Sequence, residues 1–301
     1  MICDSCGNEL IEGMKFCVHC GKSIETPYQT KVQHGQETPA KIIPFVVTDQ
    51  QARKEFQAWL SKGFWAPRNM KKISTINELS PLYVPVWLFS AVATSKWSGQ
   101  SGMRRSRQVA YKVQEGNTEK TEYKTEYYTD WYPVTGEHDG IYSSLPIPAS
   151  QELVNHVSKM KRFNESILPI VDGYDYSTAE PFDVRYVTSC PVDTNLISID
   201  DASLTFKKRV KDAETKGCLK MIPGDEKTLD YINLSISDIK HELAYVPIYL
   251  SSYYYKRRLY HFLINGKTNK IVSEEKPISP AKVVIALVIF IALILLVAHF
   301  W

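Results

Sequence analysis

Cys3-Asp4-Ser5-Cys6 and Cys17-Val18-His19-Cys20 open the chain with ten residues between them, and each pair is followed by a glycine, Gly7 and Gly21. Four thiolates at this spacing can close a tetrahedral shell around one Zn²⁺, and the glycines let the backbone turn back past the metal. The competing chemistry is a pair of disulfides. A bridge across two intervening residues is strained, and disulfides belong to oxidising compartments. No signal peptide precedes them, because Asp4, Glu9 and Glu12 interrupt the first apolar run. The expectation is a structural zinc ribbon over residues 1–24 with ligands Cys3, Cys6, Cys17 and Cys20. So short a segment has almost no core, and the metal supplies most of its folding energy. His19 would be a fifth donor to a filled shell and reads as an exposed side chain. Cys190 and Cys218 stand alone and read as inert thiols.

Many zinc ribbons bind nucleic acid, which requires cationic side chains to replace counterions. Here residues 1–30 hold Asp4, Glu9, Glu12 and Glu25 against Lys15 and Lys22. Four thiolates around Zn²⁺ add further negative charge. An anionic ribbon suits protein contact or a structural cap better than phosphate.

The far end has a different solvent. From Val283 to Ala298 no side chain is polar. As a helix at about 1.5 Å per residue, residues 281–301 match the hydrocarbon thickness of a bilayer. Lys282 can snorkel at one end, and His299, Phe300 and Trp301 suit the opposite interface. Lys267, Lys270, Lys276 and Lys282 precede the span and no Lys or Arg follows it. The positive-inside rule therefore places residues 1–280 in the cytoplasm, where reduced thiolates also belong. A span at the very end of the chain implies post-translational insertion, as in a tail-anchored protein.

Between the ends, residues 25–40 are polar, hold Pro27 and Pro39, show no periodicity and read as a flexible linker. The remaining body, 41–280, is expected to be α+β with mainly antiparallel strands and a few helices. The whole chain carries 36 Lys and Arg against 33 Asp and Glu, too mild an excess to demand nucleic acid. Its 18 Tyr, 11 Phe and 6 Trp favour strands. Ile42–Val47 reads as a short strand. Thr48 with Gln51 forms a capping box for a helix whose Ala52, Phe56, Trp59 and Leu60 share a face, with Gly63 at its end. Further strands are expected at 83–89, 107–114 and 121–132, the last two joined by a turn at Gly116-Asn117. Ser150 can cap a helix bearing Leu153, Val154 and Val157. A second helix is expected from Ala202 to Lys216, ended by Gly217. Strands at 245–250, 253–255, 259–264 and 270–272 close the body, with a turn or a strand end at 256–258 and a tight turn at Asn265-Gly266.

Two stretches share a pattern: Ile73-x-x-Ile76-x-Glu78-Leu79 before Tyr83-Val84-Pro85-Val86-Trp87-Leu88, and Ile236-x-x-Ile239-x-x-Glu242-Leu243 before Tyr245-Val246-Pro247-Ile248-Tyr249-Leu250. Duplication into two similar halves and convergence on a strand-entry sequence both explain it; two copies do not decide.

The ribbon, Ile42-Ile43-Pro44-Phe45, the helix with Phe56 and Trp59 followed by Trp65-Ala66-Pro67, Tyr83-Val84-Pro85-Val86-Trp87-Leu88, and Tyr260 to Val272 together resemble a family of uncharacterised bacterial membrane-associated proteins with an N-terminal zinc ribbon. That resemblance implies an architecture, a bacterial cytoplasmic membrane location, and no reaction.

The sequence offers little for catalysis. Outside the ribbon the histidines lack metal-ligand spacing, and there is no HExxH, Walker loop, dinucleotide turn or GxSxG elbow. Asp172-Gly173-Tyr174-Asp175 reads as a turn and Asp200-Asp201 as a helix start. Two basic clusters remain: Arg104, Arg105 and Arg107, and Lys256, Arg257 and Arg258 among tyrosines. Tyrosines beside cations can stack single-stranded nucleic acid. They can equally pack into a sheet with cations at its edge, or rest the cations of Lys256, Arg257 and Arg258 on anionic lipid. The expectation is a non-enzymatic adaptor or scaffold, tail-anchored at the cytoplasmic membrane face, with one structural Zn²⁺ and an unidentified protein partner. The alternative is a membrane-tethered nucleic-acid-binding regulator.

Overall fold

The computed structural model describes residues 40–63, 66–67, 70, 75–76, 79–115, 118–159, 168–187, 190–256, 258–273 and 276–300, together with Ile2, Cys3, Gly7 and Cys17. The expected linker and most of the expected ribbon lie outside these residues.

The fold is mixed α+β, mostly strands with a few helices. In chain order come β1 (Lys41–Ile42), α1 (Asp49–Ser61), β2 (Thr75–Ile76), β3 (Ser80–Glu115) and β4 (Thr118–Pro148). Then follow α2 (Gln151–Lys159), α3 (Leu168–Val171), β5 (Glu180–Pro181), α4 (Val184–Val187), α5 (Ile199–Met221), β6 (Glu226–Tyr255), β7 (Arg258–Asn265), β8 (Ile271–Ser273) and α6 (Pro280–Phe300). One sheet has the order β4-β3-β6-β1-β5, with β2 and β7 also on β6 and β8 on β7. The chain divides into two compact units. One comprises Met1–Leu88, Pro146–Ala202 and Glu242–Trp301, the other Phe89–Leu145 and Ser203–His241.

In the first unit the sheet is buried on both faces. Ala244, Val246, Ile248 and Leu250 of β6 pack with Val84, Val86 and Leu88 of β3 and with Leu153, Ile170 and Val171. On the opposite face Tyr249 and Tyr253 of β6, with Phe262 and Ile264 of β7, meet Ala52, Phe56 and Leu60 of α1. Two-sided burial is why 245–250 reads as an unbroken apolar run, without the alternation of a half-wet strand. The capping box forms as the sequence implies. The Gln51 amide donates to Thr48 Oγ1 at 3.3 Å, and the Thr48 amide donates to Gln51 Oε1 at 2.9 Å. Phe56 stacks on Phe262 with centroids 3.9 Å apart. Strand β1 is shorter than expected, ending before Pro44, and runs parallel to β6 with Ile42 beside Tyr245. The YVP segments of β3 and β6 both belong to this unit. The turn after Asn265 is wider than a two-residue hairpin: Asn265 Oδ1 accepts from the amides of Lys267 and Thr268, each at 2.9 Å.

The second unit has one dry face. Along β3, residues 91, 93, 95, 97, 99 and 101 are buried, while the even positions from 92 to 100 are wetter. The buried set faces α5, whose Phe206, Val210, Glu214 and Cys218 are buried at four-residue spacing. Phe89 stacks on Phe206 at 4.7 Å. Helix α5 does not stop at Gly217, where the sequence implied its end, but runs on to Met221. Gly217 sits under the His138 ring, where a Cβ would lie 2.7 Å from Cε1. That glycine serves close approach, and its weak helix propensity, about 1 kcal/mol, is outweighed by packing. Strands β3 and β6 are also longer than expected, extending through 90–106 and 226–241.

Removing the Phe56 ring should lower stability more than removing the α1 cap. Unfolding of the detergent-solubilised chain in urea should show Phe56→Ala losing about 3–5 kcal/mol and Thr48→Ala about 1 kcal/mol. Equal losses would contradict the packing described.

Candidate functional site

Of the expected zinc ligands, Cys3 and Cys17 are described and both are buried, at 3% and 0% exposure; Cys6 and Cys20 lie outside the described residues. The Gly7 amide donates to the Cys3 carbonyl at 2.8 Å, and Gly7 has φ +71°, the left-handed region open to glycine. Buried thiols in so short a segment fit a tetrahedral metal shell. No three His, Cys, Asp or Glu side chains converge among the described residues.

At the other end, α6 is long and apolar enough to cross a membrane. Its window Pro280–Val297 has a mean hydropathy of 2.9, and none of it is buried. The lysines before and inside its first turn are engaged by the body. Lys276 Nζ donates to the carbonyls of Trp59 and of Lys62, the latter at 2.7 Å, and lies 3.9 Å from the centre of the Trp59 ring. Lys282 Nζ donates to the Ala66 carbonyl at 2.7 Å. Helix α1 has no basic residue in its own last turn. Its terminal carbonyls are unsatisfied by the helix and carry its negative pole. Lys276 supplies the missing cation from the segment leading to α6. Burial, followed by the nearby Lys62, pulls the Lys276 ammonium down to about 8.

The basic hairpin joins β6 to β7. Lys256 occupies the left-handed turn between β6 and β7, with φ 47°, and Arg258 stands 4.9 Å over the Tyr260 ring. Arg257 lies outside the described residues. Tyr253 and Tyr260 are buried and stacked at 5.1 Å. Their faces are spent on the core rather than offered to bases. Tyr253 lies 6.4 Å from Trp59, the ring under Lys276, so that one ring contacts both Tyr253 of β6 and the lysine ahead of α6. The other arginines are matched across strands: Arg104 with Glu226, Arg105 with Asp130, Arg107 with Glu126.

A buried polar cluster in the second unit escaped sequence reasoning. Glu214 Oε2 accepts from Ser95 Oγ at 2.7 Å and lies 2.8 Å from His138 Nδ1, and Oε1 accepts from Tyr142 OH at 2.7 Å. The Glu214 side chain is fully buried and His138 partly exposed. Burial opposes the charge, but the bonds from Ser95, His138 and Tyr142 outweigh it and hold the carboxyl below its ordinary range. The signal was visible: Glu214 interrupts the apolar four-residue stripe of α5. The geometry is that of a satisfied structural carboxylate. The Ser95 proton goes to Glu214, leaving that hydroxyl without an imidazole base. Cys190 is also chemically quiet, its thiol pushed by burial up to about 12. Asp175 accepts from the Ser177 amide at 3.0 Å, and Ser198 Oγ accepts from the Asp201 amide at 3.2 Å, both turn or cap roles.

No family model and no solved structure matches the chain. It is similar to the uncharacterized protein YdjG of Bacillus subtilis, 24% identical over 261 residues, which span 83% of this chain and 67% of that protein. That relative is itself uncharacterized, so the likeness brings no reaction with it.

Two outcomes follow from these charges. Glu214 has a lowered folded-state pKa, so its contribution is present above the unfolded value, about 4.3, and is lost as pH falls through the folded one. The acid limb of the stability–pH curve should therefore be shallower in Glu214→Gln than in the parent; parallel curves would contradict the bonding described. Lys276→Met should lower urea stability by about 1–3 kcal/mol through lost charge-assisted bonds to α1, and should speed proteolysis near residues 59–67. An unchanged cleavage pattern would show that the lysine does not hold that end of α1.

Proposed function

We propose that this protein is a membrane-anchored, non-enzymatic adaptor on the cytoplasmic face. Helix α6 spans the bilayer, the α+β body sits at the surface, and a Cys3, Cys6, Cys17, Cys20 zinc ribbon makes contact with a protein partner. The observation that carries this reading is the engagement of Lys276 and Lys282 by backbone carbonyls of the first unit. It ties the body to the base of the apolar helix, as a platform requires. Lys256 and Arg258, at the β6–β7 turn, can meet anionic headgroups at about 1 kcal/mol per cation. The anionic ribbon and the polar stretch behind it suit a contact module on a tether.

Affinity capture of the crosslinked full chain, compared with Cys17→Ser/Cys20→Ser, tests this. The parent should carry one Zn²⁺ per chain and co-purify with a protein that the variant loses along with its metal. A variant that keeps every partner removes the ribbon from recognition.

A further inference from the structure

Strands β3 and β4 outrun the rest of the sheet in the second unit. The start of β6 meets β3 at Gly102, whose carbonyl accepts from the Asp225 amide at 2.9 Å, and the Arg104 amide donates to Asp225 Oδ2 at 3.0 Å. Past that point, among the described residues, β3 and β4 go on as a two-stranded arm. Gln108 to Thr125, Arg107 to Glu126 and Tyr111 to Glu122 join its strands.

The two faces of the arm differ. Successive residues of a strand alternate sides. Glu126 and Asp130 of β4 therefore share one face, where Arg105, Arg107 and Lys124 find their acids. Thr121, Tyr123, Thr125, Tyr127, Thr129 and Trp131 fall on the other, a row without charge. Its rings are open to solvent, Tyr123 at 69%, Tyr127 at 81% and Trp131 at 44%. Gly102 makes room for the inner end of this row: a Cβ there would lie 2.8 Å from Thr129, 2.9 Å from Trp131 and 3.0 Å from Glu226. At this end of the arm is a cavity of about 550 Å³ whose lining includes Arg104, Ser106, Tyr127, Thr129 and Glu226. Arg104 Nε at 3.0 Å and Thr129 Oγ1 at 3.4 Å fix Glu226, and both bonds end on Oε1. Oε2 is left as an acceptor, and the terminal N–H groups of Arg104 as donors, without partners among the described residues.

We propose that this face binds a neutral oligosaccharide, with pyranose rings stacked on Tyr127 and Trp131 and their hydroxyls held by the Arg104–Glu226 pair. The face of an aromatic ring is electron-rich and attracts the C–H bonds that line one side of a sugar. A hydroxyl donates and accepts at once. Neighbouring hydroxyls therefore need a donor beside an acceptor at fixed spacing, which a preformed guanidinium–carboxylate pair supplies from its outer atoms. The pair sums to zero charge. Nucleic acid and anionic lipid require an excess of cations, and this face has none. Tyr123, Tyr127 and Trp131 follow one another at four-residue steps, about 13 Å along a strand, so the row suits an extended chain of sugars rather than a single one. The site uses neither the metal ligands nor the apolar helix.

The test is calorimetric titration of the full chain, in a detergent without a sugar headgroup, with maltohexaose, cellohexaose and chitohexaose. At least one should bind at millimolar concentration or below. Tyr127→Ala and Trp131→Ala should each weaken that binding about tenfold, and Glu226→Gln by a similar factor. Tyr254→Ala, which removes an exposed ring from the first unit, should leave it unchanged. No binding of any of the three sugars, binding that survives the two ring deletions or the Glu226 change, or binding of single-stranded DNA or a proline-rich peptide in their place would overturn the assignment.

Discussion

Strand β6 is the member on which the described sheet depends. It is 30 residues long and pairs with β3, β1, β2 and β7. Its burial changes along its length: no residue of 226–241 is buried, and every residue from Leu243 to Tyr253 is. The first half needs side chains that satisfy water on one face, and supplies Asp230, Asn233, Ser235 and Ser237. The second half is covered on both faces, and supplies Val246, Ile248 and Leu250 to one and Tyr249 and Tyr253 to the other. The tyrosines add an ordering device to the apolar area, because their hydroxyls must find partners when buried. Tyr249 OH donates to the Val47 carbonyl at 2.7 Å, which fixes the chain entering α1.

Two charges, one buried and one half-buried, are handled in opposite ways. Glu214 is enclosed by side-chain donors on a sheet and a helix, so its charge is compensated locally by Ser95, His138 and Tyr142. Removing one partner from such a set costs more than the set contributes, since the remainder is left desolvated. Lys276 is met by backbone carbonyls and an aromatic ring. No carboxylate is needed, because the end of α1 already provides partial negative charge. The arginines of β3 illustrate a third case, in which exposed cations are matched by acids one strand away and contribute little to stability.

The capping box at Thr48, the apolar face of α1 and the hairpin around Lys256 were legible in the sequence because each rests on contacts a few residues apart. The strands at 90–106 and 226–241 were not. Their polar alternation resembles loop composition, and their extended form is imposed by pairing with distant segments. The end of α5 was misplaced because Gly217 is a packing residue whose partner, His138, lies far off in the chain. Glu214 could have been found as the one polar residue in an apolar stripe. Lys276 could not: its partners are carbonyls, which carry no side-chain signature. The Arg104 cluster looked basic because the acids that neutralise it come from β4 and β6. Of the four expected metal ligands, Cys3 and Cys17 are described, and both are buried.

The bond from Lys282 to the Ala66 carbonyl has a mechanical consequence. An anchor joined to its domain by a loose tether transmits position and nothing else. Here the first turn of the apolar helix is pinned, and Lys276 pins the segment before it. For a helix that crosses a bilayer, tilt answers to thickness. On the proposed membrane reading, a change in tilt becomes a torque on the end of α1 through the bonds of Lys276 and Lys282. The coupling is that of a lever rather than a leash.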